Sequence, residues 1–384
     1  MSSQKSLCMI PGPVECSDDV IQMMSTKATS HMDPHFAACF GELLTNLKTV
    51  FGTSTGQPFV IAGSGTLGWD QTSANLLEQG DNVLLLSTGF FGNGFGDCME
   101  VYGANLDKIS TKIGETYDME KVEAALKSKH YKLVAVTHVD TSTGVVVDVE
   151  ALCKLIQRIS PSTLVAVDSV CAAAAERLYF DSWGVDVVIA ASQKALGCPP
   201  GVSVVMVSQR ALETVNNRKT PIHAYYVSWK RWLPVMIAFE SKKPAYFATP
   251  CVQTIMALNL SVRHLVELGM EEVFKRHKET GDKFVKAIRS IGLVPLAVSD
   301  NLRSGAMTAI WLPQGIALSD LVPKMLSRGI TISGGIFQGH ATEYFRVGHM
   351  GVSATDPSLN YVDRTIAALN DSLVEAGYNP KSSL

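Results

Sequence analysis

Short apolar runs rich in β-branched residues alternate with segments of helical periodicity over most of this 384-residue chain. Strands that read as continuous apolar runs are buried on both faces, so the alternation predicts an α/β fold around a mostly parallel sheet. We expect strands at residues 59–62, 83–87, 133–138, 164–168, 185–192 and 202–207. Helices are expected at residues 119–127, 149–159, 209–217 and 249–268.

Gly269 ends the long helix, and the pattern changes after the helix that follows it. An amphipathic helix over residues 270–291 is followed by shorter mixed elements: strands at 307–312 and 344–347, and helices at 318–326 and 361–376. We therefore predict two domains. The larger spans residues 1–265, including an N-terminal arm, and a smaller α+β domain spans residues 266–384.

Composition excludes several classes of protein. The net charge of -3 provides no basic excess for a nucleic-acid backbone, and no apolar run approaches the roughly 20 residues of a membrane span. The eight cysteines form no CxxC pairs, so neither a disulfide framework nor a metal site is predicted. We expect a cytoplasmic protein with small-molecule partners. The last residues, Lys381-Ser382-Ser383-Leu384, loosely resemble a peroxisomal address, which makes that compartment the alternative.

A glycine-rich loop follows the first predicted strand, in the sequence Gly63-Ser64-Gly65-Thr66-Leu67-Gly68. This G-x-G-x-x-G spacing occurs in dinucleotide-binding domains, so an NAD-dependent oxidoreductase must be considered. Such a domain needs an acidic residue about 20 positions later, but residues 82–96 contain none. The loop and the helix after it still suit a phosphate monoester, although a purely structural turn is an equal alternative.

Two charged residues follow apolar strands at other positions. Asp168 ends the run Leu164-Val165-Ala166-Val167, where an ionised carboxylate needs a cationic partner. Lys194 follows residues 185–192, where burial would make its amine a good nucleophile for an aldehyde. Individually, Asp168 could be a capping residue and Lys194 a surface lysine.

Ligands collect at the carboxyl ends of parallel strands, and the loop, Asp168 and Lys194 all lie there. A phosphate cradle, a partner for a protonated pyridine nitrogen and an amine that captures an aldehyde are together the requirements of pyridoxal phosphate.

Motifs spread over nearly the whole chain resemble those of the class V, fold-type-I aminotransferases, especially the fungal alanine–glyoxylate enzymes. They are Pro11-Gly12-Pro13 and residues 62–66 (AGSGT), 138–144 (HVDTSTG), 167–170 (VDSV), 192–195 (SQKA), 199–201 (PPG), 245–250 (AYFATP) and 346–348 (RVG). The resemblance implies a large domain with a mostly parallel seven-stranded sheet, pyridoxal phosphate as cofactor and a homodimer with shared active sites. It also implies transfer of an amino group from L-alanine to glyoxylate, giving pyruvate and glycine. Serine–pyruvate or serine–glyoxylate transfer is the alternative within the family.

The resemblance also implies a role for each site residue. Lys194 would hold the cofactor as a Schiff base and move the proton, and Asp168 would bind the pyridine nitrogen. The phosphate contacts within the chain would come from Ser64, Gly65, Thr66 and Gln193. Phe91 would stack on the cofactor ring, Ser142 would lie near the ring and the substrate carboxylate, and Arg346 would bind that carboxylate. Tyr246 and Thr249 would reach the phosphate of the neighbouring subunit.

Overall fold

The computed structural model describes residues 6–379. Its strands are β1 (Leu7–Cys8), β2 (Gln57–Ala62), β3 (Asn82–Ser87), β4 (Asn105–Ser110), β5 (Leu133–Thr137), β6 (Leu164–Asp168), β7 (Val187–Ala191), β8 (Val202–Val207), β9 (Met307–Trp311), β10 (Ile330–Thr331), β11 (Ser333–Gly334) and β12 (Tyr344–Gly348). Its α-helices are α1 (Asp18–Met23), α2 (Pro34–Val50), α3 (Thr66–Leu76), α4 (Phe90–Val101), α5 (Met119–Ser128), α6 (Val149–Ile159), α7 (Phe180–Trp183), α8 (Gln209–Asn216), α9 (Trp229–Glu240), α10 (Val252–Leu268), α11 (Met270–Ser290), α12 (Leu318–Ser327), α13 (Val352–Thr355) and α14 (Tyr361–Glu375).

A seven-stranded sheet in the order β2-β8-β7-β6-β5-β3-β4 forms the centre of the molecule. Only β8 runs against the others, pairing antiparallel with β2 and β7. All residues of β5, β6, β7 and β8 are buried, as their predominantly apolar sequences predict. The predicted mostly parallel sheet is confirmed, and β4 is the strand of this sheet that the sequence analysis missed. Outside this sheet, the short strands β1, β10 and β11 were not predicted either.

Helices cover this sheet and fix where the connecting loops emerge. Helix α3 packs on β7 and β8, whereas α4 packs on β3, β4 and β5. Gly68 permits the close approach of α3, because a Cβ atom there would lie 2.3 Å from Cγ2 of Ile189. The loops after β2, β3, β5, β6 and β7 consequently open at the same edge of the sheet.

A second hydrophobic core lies around the antiparallel sheet β11-β12-β9. Helix α11 connects the two cores, since Val273 belongs to the first and Phe284 to the second. Leu7 and Met9 pack into the second core, where β1 pairs in parallel with β10. The division at residue 265 stays a prediction.

Within residues 6–379, no helix is long and apolar enough to cross a membrane. The resemblance of Lys381–Leu384 to a peroxisomal address lies outside the described residues.

Candidate active site

A cavity of about 260 Å³ opens at the carboxyl edge of the central sheet. Seven residues that were predicted to bind the cofactor line it: Ser64, Gly65, Thr66, Phe91, Asp168, Gln193 and Lys194. They come from the loops after β2 and β7, from the first turns of α3 and α4 and from the last residue of β6. Residues up to 130 positions apart in the sequence therefore meet at one site, because parallel strands end at one edge.

Lys194 lies just past β7 with only 7% of its surface exposed. Its Nζ donates a hydrogen bond to the backbone carbonyl of Pro11, and burial lowers the pKa of the amine below its ordinary value. Gly12 makes room for this side chain, since a Cβ atom there would lie 2.8 Å from Nζ. Gly12 also has a φ of +103°, which disfavours any other residue.

Asp168 ends β6 and is 3% exposed. Its Oδ1 accepts a hydrogen bond from the backbone N–H of Val170 at 2.9 Å, and its Oδ2 accepts one from Nε1 of Trp69 at 2.8 Å. Burial raises the pKa of Asp168 to about 6, and the two hydrogen bonds oppose that rise. A cation bound in the cavity would favour the ionised carboxylate.

The loop after β2 faces the cavity with the beginning of helix α3. Gly65 caps the helix, and a Cβ atom there would lie 2.9 Å from Cγ2 of Val170. The first N–H groups of a helix have no carbonyl partners within it, and they carry the positive end of the helix dipole. Together with the exposed hydroxyls of Ser64 and Thr66, they form a suitable site for an anion.

Two buried polar atoms that suit a polar ligand also occur here. The Oε1 atom of Gln193 and the Oγ1 atom of Thr137 are buried without a hydrogen-bond partner among the described residues. Both residues line the cavity. Buried polar groups are nearly always hydrogen-bonded in proteins, so a polar ligand is expected to supply the missing partners.

Phe91 lies in the first turn of α4 and borders the cavity. Asp140, which is fully buried in the turn after β5, holds this end of the helix by accepting a hydrogen bond from the N–H of Gly92 at 2.9 Å. The Ser142 hydroxyl donates to Asp140 at 2.6 Å and accepts from the N–H of Phe90 at 3.0 Å. The structure therefore does not place Ser142 on the cavity lining, which includes Thr141 instead. The predicted contacts of Ser142 with cofactor and substrate stay predictions.

Arg346 lies in β12 and is 8% exposed. Its Nε donates to the carbonyl of Gly334 at 2.7 Å and its Nη1 to the carbonyl of Thr141 at 3.0 Å. No carboxylate within residues 6–379 forms an ion pair with it, and burial lowers its pKa. A buried guanidinium without a carboxylate partner suits an anionic substrate.

Tyr246 and Thr249 do not line the cavity of their own chain. They lie between α9 and α10, where Thr249 is exposed and Tyr246 is 59% exposed. The ring of Tyr246 is 5.0 Å from that of His31. Their role at a neighbouring subunit stays a prediction.

The sequence analysis gave no role to Trp69, Thr137, Pro11 and Gly12, all of which contact or line the site. A signal was present for Trp69, which lies one helical turn beyond Gly65 and thus on the same face of α3. Pro11 and Gly12 belong to a motif of the resemblance, but their contact with Lys194 spans 183 residues and has no local signature.

The topology argues against the dinucleotide interpretation of the glycine loop. Strand β2 pairs with β8, and β3 pairs with β4 and β5. A dinucleotide-binding unit would place β2 beside β3, with the glycine loop at the crossover between them.

The fold and this arrangement at its carboxyl edge define the class: the chain has the fold type I of the pyridoxal-phosphate-dependent aminotransferases. The model of the class V aminotransferase family matches residues 24–355. The chain belongs to that family and is an aminotransferase, as the sequence motifs predict.

Individual relatives agree with this assignment. Alanine–glyoxylate aminotransferase 1 of Saccharomyces cerevisiae is 37% identical over 374 residues, which are 94% of this chain and 96% of the yeast protein. The structure of an alanine–glyoxylate aminotransferase from Nostoc sp. is similar with a TM-score of 0.90, at 29% identity over 97% of this chain and 96% of its own. A ureidoglycine–glyoxylate aminotransferase from Bacillus subtilis also has a TM-score of 0.90, at 26% identity over 99% and 95% of the two chains.

Proposed function

We propose that this aminotransferase uses pyridoxal phosphate, held through Lys194, to convert L-alanine and glyoxylate into pyruvate and glycine. The observation that carries the proposal is the meeting of Lys194, Asp168 and the first turn of α3 at one cavity. The yeast and Nostoc relatives named for these two substrates support the choice of donor and acceptor.

The residues present fit this cofactor at each of its functional groups. Ser64, Gly65 and Thr66 at the beginning of α3 would hold the phosphate. The side-chain amide of Gln193, whose carbonyl has no hydrogen-bond partner among residues 6–379, would turn its NH₂ group toward the same phosphate. Asp168, whose burial disfavours its charge, would gain a cationic partner in a protonated ring nitrogen.

When bound, pyridoxal phosphate supplies an aldehyde for amino groups and an electron-withdrawing ring that stabilises negative charge at the substrate Cα. Lys194 contributes an amine whose lowered pKa favours the neutral, nucleophilic form. The same amine can accept the proton from Cα and return it elsewhere, which is the role of a general base and acid. Asp168 would keep the ring nitrogen protonated.

Arg346 would bind the carboxylate that alanine, glyoxylate, pyruvate and glycine share, through the parallel donors of its guanidinium. Besides Lys194 and Asp168, much of the lining is small or apolar, as at Pro13, Val139 and Val170. This lining suits a small neutral side chain. Serine as donor, in serine–pyruvate or serine–glyoxylate transfer, is the outcome that the experiment below distinguishes.

We further propose a homodimer in which Tyr246 and Thr249 reach the phosphate of the neighbouring subunit. Their exposure in the single chain leaves them available for such a contact. A cytoplasmic location remains the expectation, with Ser382-Ser383-Leu384 as the basis of the peroxisomal alternative.

An absorbance titration of the purified protein tests the proposal. With pyridoxal phosphate bound, we expect a visible absorption band that L-alanine bleaches and glyoxylate restores. L-Serine and pyruvate are run in parallel, and a stronger response to that pair would assign the donor as serine. Borohydride should fix the cofactor covalently to the wild-type protein but not to Lys194→Ala.

Lys154→Ala is the matched control, because Lys154 is exposed on α6. Borohydride should fix the cofactor to this variant at the wild-type level. A protein without a cofactor band that binds NAD instead would refute the proposal. Borohydride fixation of Lys194→Ala at the wild-type level would refute the role of Lys194.

A further inference from the structure

Tyr344 is a fully buried tyrosine two residues before Arg346 in β12. Side chains at positions i and i+2 of a strand point to the same face of the sheet. Tyr344 and Arg346 therefore project together from β12 toward the turn after β5.

The Tyr344 hydroxyl uses its whole hydrogen-bonding capacity on the backbone. It donates to the carbonyl of Ser142 at 2.6 Å and accepts from the N–H groups of Ile336 at 3.0 Å and Phe337 at 2.9 Å. A hydroxyl has one proton and two lone pairs, so all three are engaged. The group thereby joins the turn after β5 to the loop after β11.

Arg346 contacts residues close to those that Tyr344 contacts, in the same two parts of the chain. Its guanidinium is fixed by the carbonyls of Thr141 and Gly334, which neighbour the segments that Tyr344 holds. The loop also packs directly on the tyrosine ring, since a Cβ atom at Gly335 would lie 2.4 Å from Cε1 of Tyr344. Tyr344 thus holds residues that neighbour both carbonyls that contact the guanidinium.

We propose that Tyr344 is a positioning residue for the substrate-carboxylate site. It keeps the carbonyls of Thr141 and Gly334 where they orient Arg346, and it leaves Lys194 and Asp168 untouched. The inference rests on the proposed function, in which Arg346 binds the carboxylate. Loss of the hydroxyl should therefore weaken substrate binding far more than it slows turnover.

Tyr344→Phe removes the hydroxyl and keeps the ring. We expect KM to rise about tenfold for alanine and glyoxylate alike, the scale of one buried hydrogen bond, with kcat within about twofold of wild type. Tyr378→Phe is the control, because its hydroxyl donates to the carbonyl of Ile291 at 2.7 Å in the second core. That variant should keep both KM values.

Two further measurements separate positioning from a general structural role. Amide hydrogen exchange at Ile336 and Phe337 should accelerate in Tyr344→Phe, because their acceptor is gone. In a double-mutant cycle, Tyr344→Phe should add little to the KM of Arg346→Lys, since both changes act on one site. Gly335→Ala, which displaces the tyrosine ring, should raise KM in the same way if Tyr344→Phe does not fold.

The outcomes distinguish this inference from the proposed function. A wild-type protein that fails to transaminate overturns the proposed function and the inference with it. A wild-type protein that transaminates, with unchanged KM in both Tyr344→Phe and Gly335→Ala, overturns the inference alone. Full additivity in the double-mutant cycle, or unchanged exchange at Ile336 and Phe337, also overturns it.

Discussion

Replacement of Trp69 by phenylalanine tests how the protein keeps Asp168 ionised. The change removes the indole N–H that donates to Oδ2 of Asp168 at 2.8 Å. It retains an aromatic ring to pack on Phe95, whose centroid is 5.8 Å from that of Trp69. The main effect should therefore fall on the charge of Asp168 and not on packing.

The magnitude follows from the burial of both partners. A hydrogen bond to a charged group contributes about 1.5–3 kcal/mol, and at this site little water can replace it. The loss shifts the balance between neutral and ionised Asp168 toward the neutral form by about 10- to 100-fold. Because the pKa of Asp168 is already raised to about 6, the ionised form becomes scarce at pH 6 in the variant.

We expect the affinity of Trp69→Phe for pyridoxal phosphate to fall by about tenfold at pH 6 and by much less at pH 8.5. The loss of affinity is smaller at pH 8.5 because Asp168 ionises as the pH rises through its pKa, and the ionised carboxylate is the partner of the ring nitrogen. Titration of the apoprotein with pyridoxal phosphate, followed by absorbance at both pH values, measures the effect. The ratio of variant to wild type cancels the titration of the cofactor itself.

Trp183→Phe is the control, because Trp183 in α7 packs on Tyr179 outside the cavity lining and should leave the affinity unchanged at both pH values. An equal loss of affinity at pH 6 and pH 8.5 in Trp69→Phe would refute the electrostatic reasoning and indicate a packing defect. Wild-type affinity at both pH values would show that the indole N–H does not support the charge of Asp168.

Three further predictions concern other parts of the molecule. Arg346→Ala should raise the apparent KM for alanine and glyoxylate by at least about 100-fold with an unchanged cofactor spectrum. Arg346→Lys should have an intermediate KM, because it keeps the charge but loses the planar guanidinium. Loss of the cofactor with a normal KM would show that Arg346 does not bind the substrate carboxylate. Burial lowers the pKa of His277 to about 4 and that of His349 to about 3, so unfolding takes up protons below pH 6.5. For each of these histidines, the free energy of unfolding should thus fall by up to about 1.4 kcal/mol per pH unit as the pH drops toward 4. Urea unfolding of His349→Gln at several pH values should show a weaker dependence of this free energy on pH, and an unaltered dependence would contradict the prediction. Sedimentation should show a homodimer, and Tyr246→Ala should loosen the cofactor, whereas a monomer with tight cofactor binding would contradict a shared site.

Among the strands of the central sheet, those that the sequence predicted are buried on both faces. Strands β5, β6 and β8 appear as continuous apolar runs, because helices cover both sides of the central sheet. Strand β4 lies at the sheet edge and mixes Asp107 and Lys108 with Leu106 and Ile109, so it carries neither an apolar run nor a distinct pattern. Its pairing with β3 is a long-range contact that local sequence does not record.

The candidate site likewise contains residues that could be predicted from the sequence and residues that could not. Asp168, Lys194 and Gly65 could be predicted because each follows an apolar strand at the edge where ligands bind. The residues that hydrogen-bond to Asp168 and Lys194 could not be predicted, since the Trp69–Asp168 and Pro11–Lys194 contacts span 99 and 183 residues. Ser142 belongs to a motif of the resemblance, but the motif did not predict that its hydroxyl is directed toward Asp140.

The N-terminal segment connects parts of the chain that a ribosome makes at very different times. β1 pairs with β10 at Ile330 and Thr331, the N–H of Val14 donates to the carbonyl of Gln193, and the carbonyl of Pro11 accepts the Lys194 amine. Residues 7 and 8 are therefore made more than 300 residues before their partner strand β10. A nascent chain that ends before residue 330 therefore lacks the β1–β10 pairing that anchors the segment carrying Pro11, the residue whose carbonyl accepts the Lys194 amine.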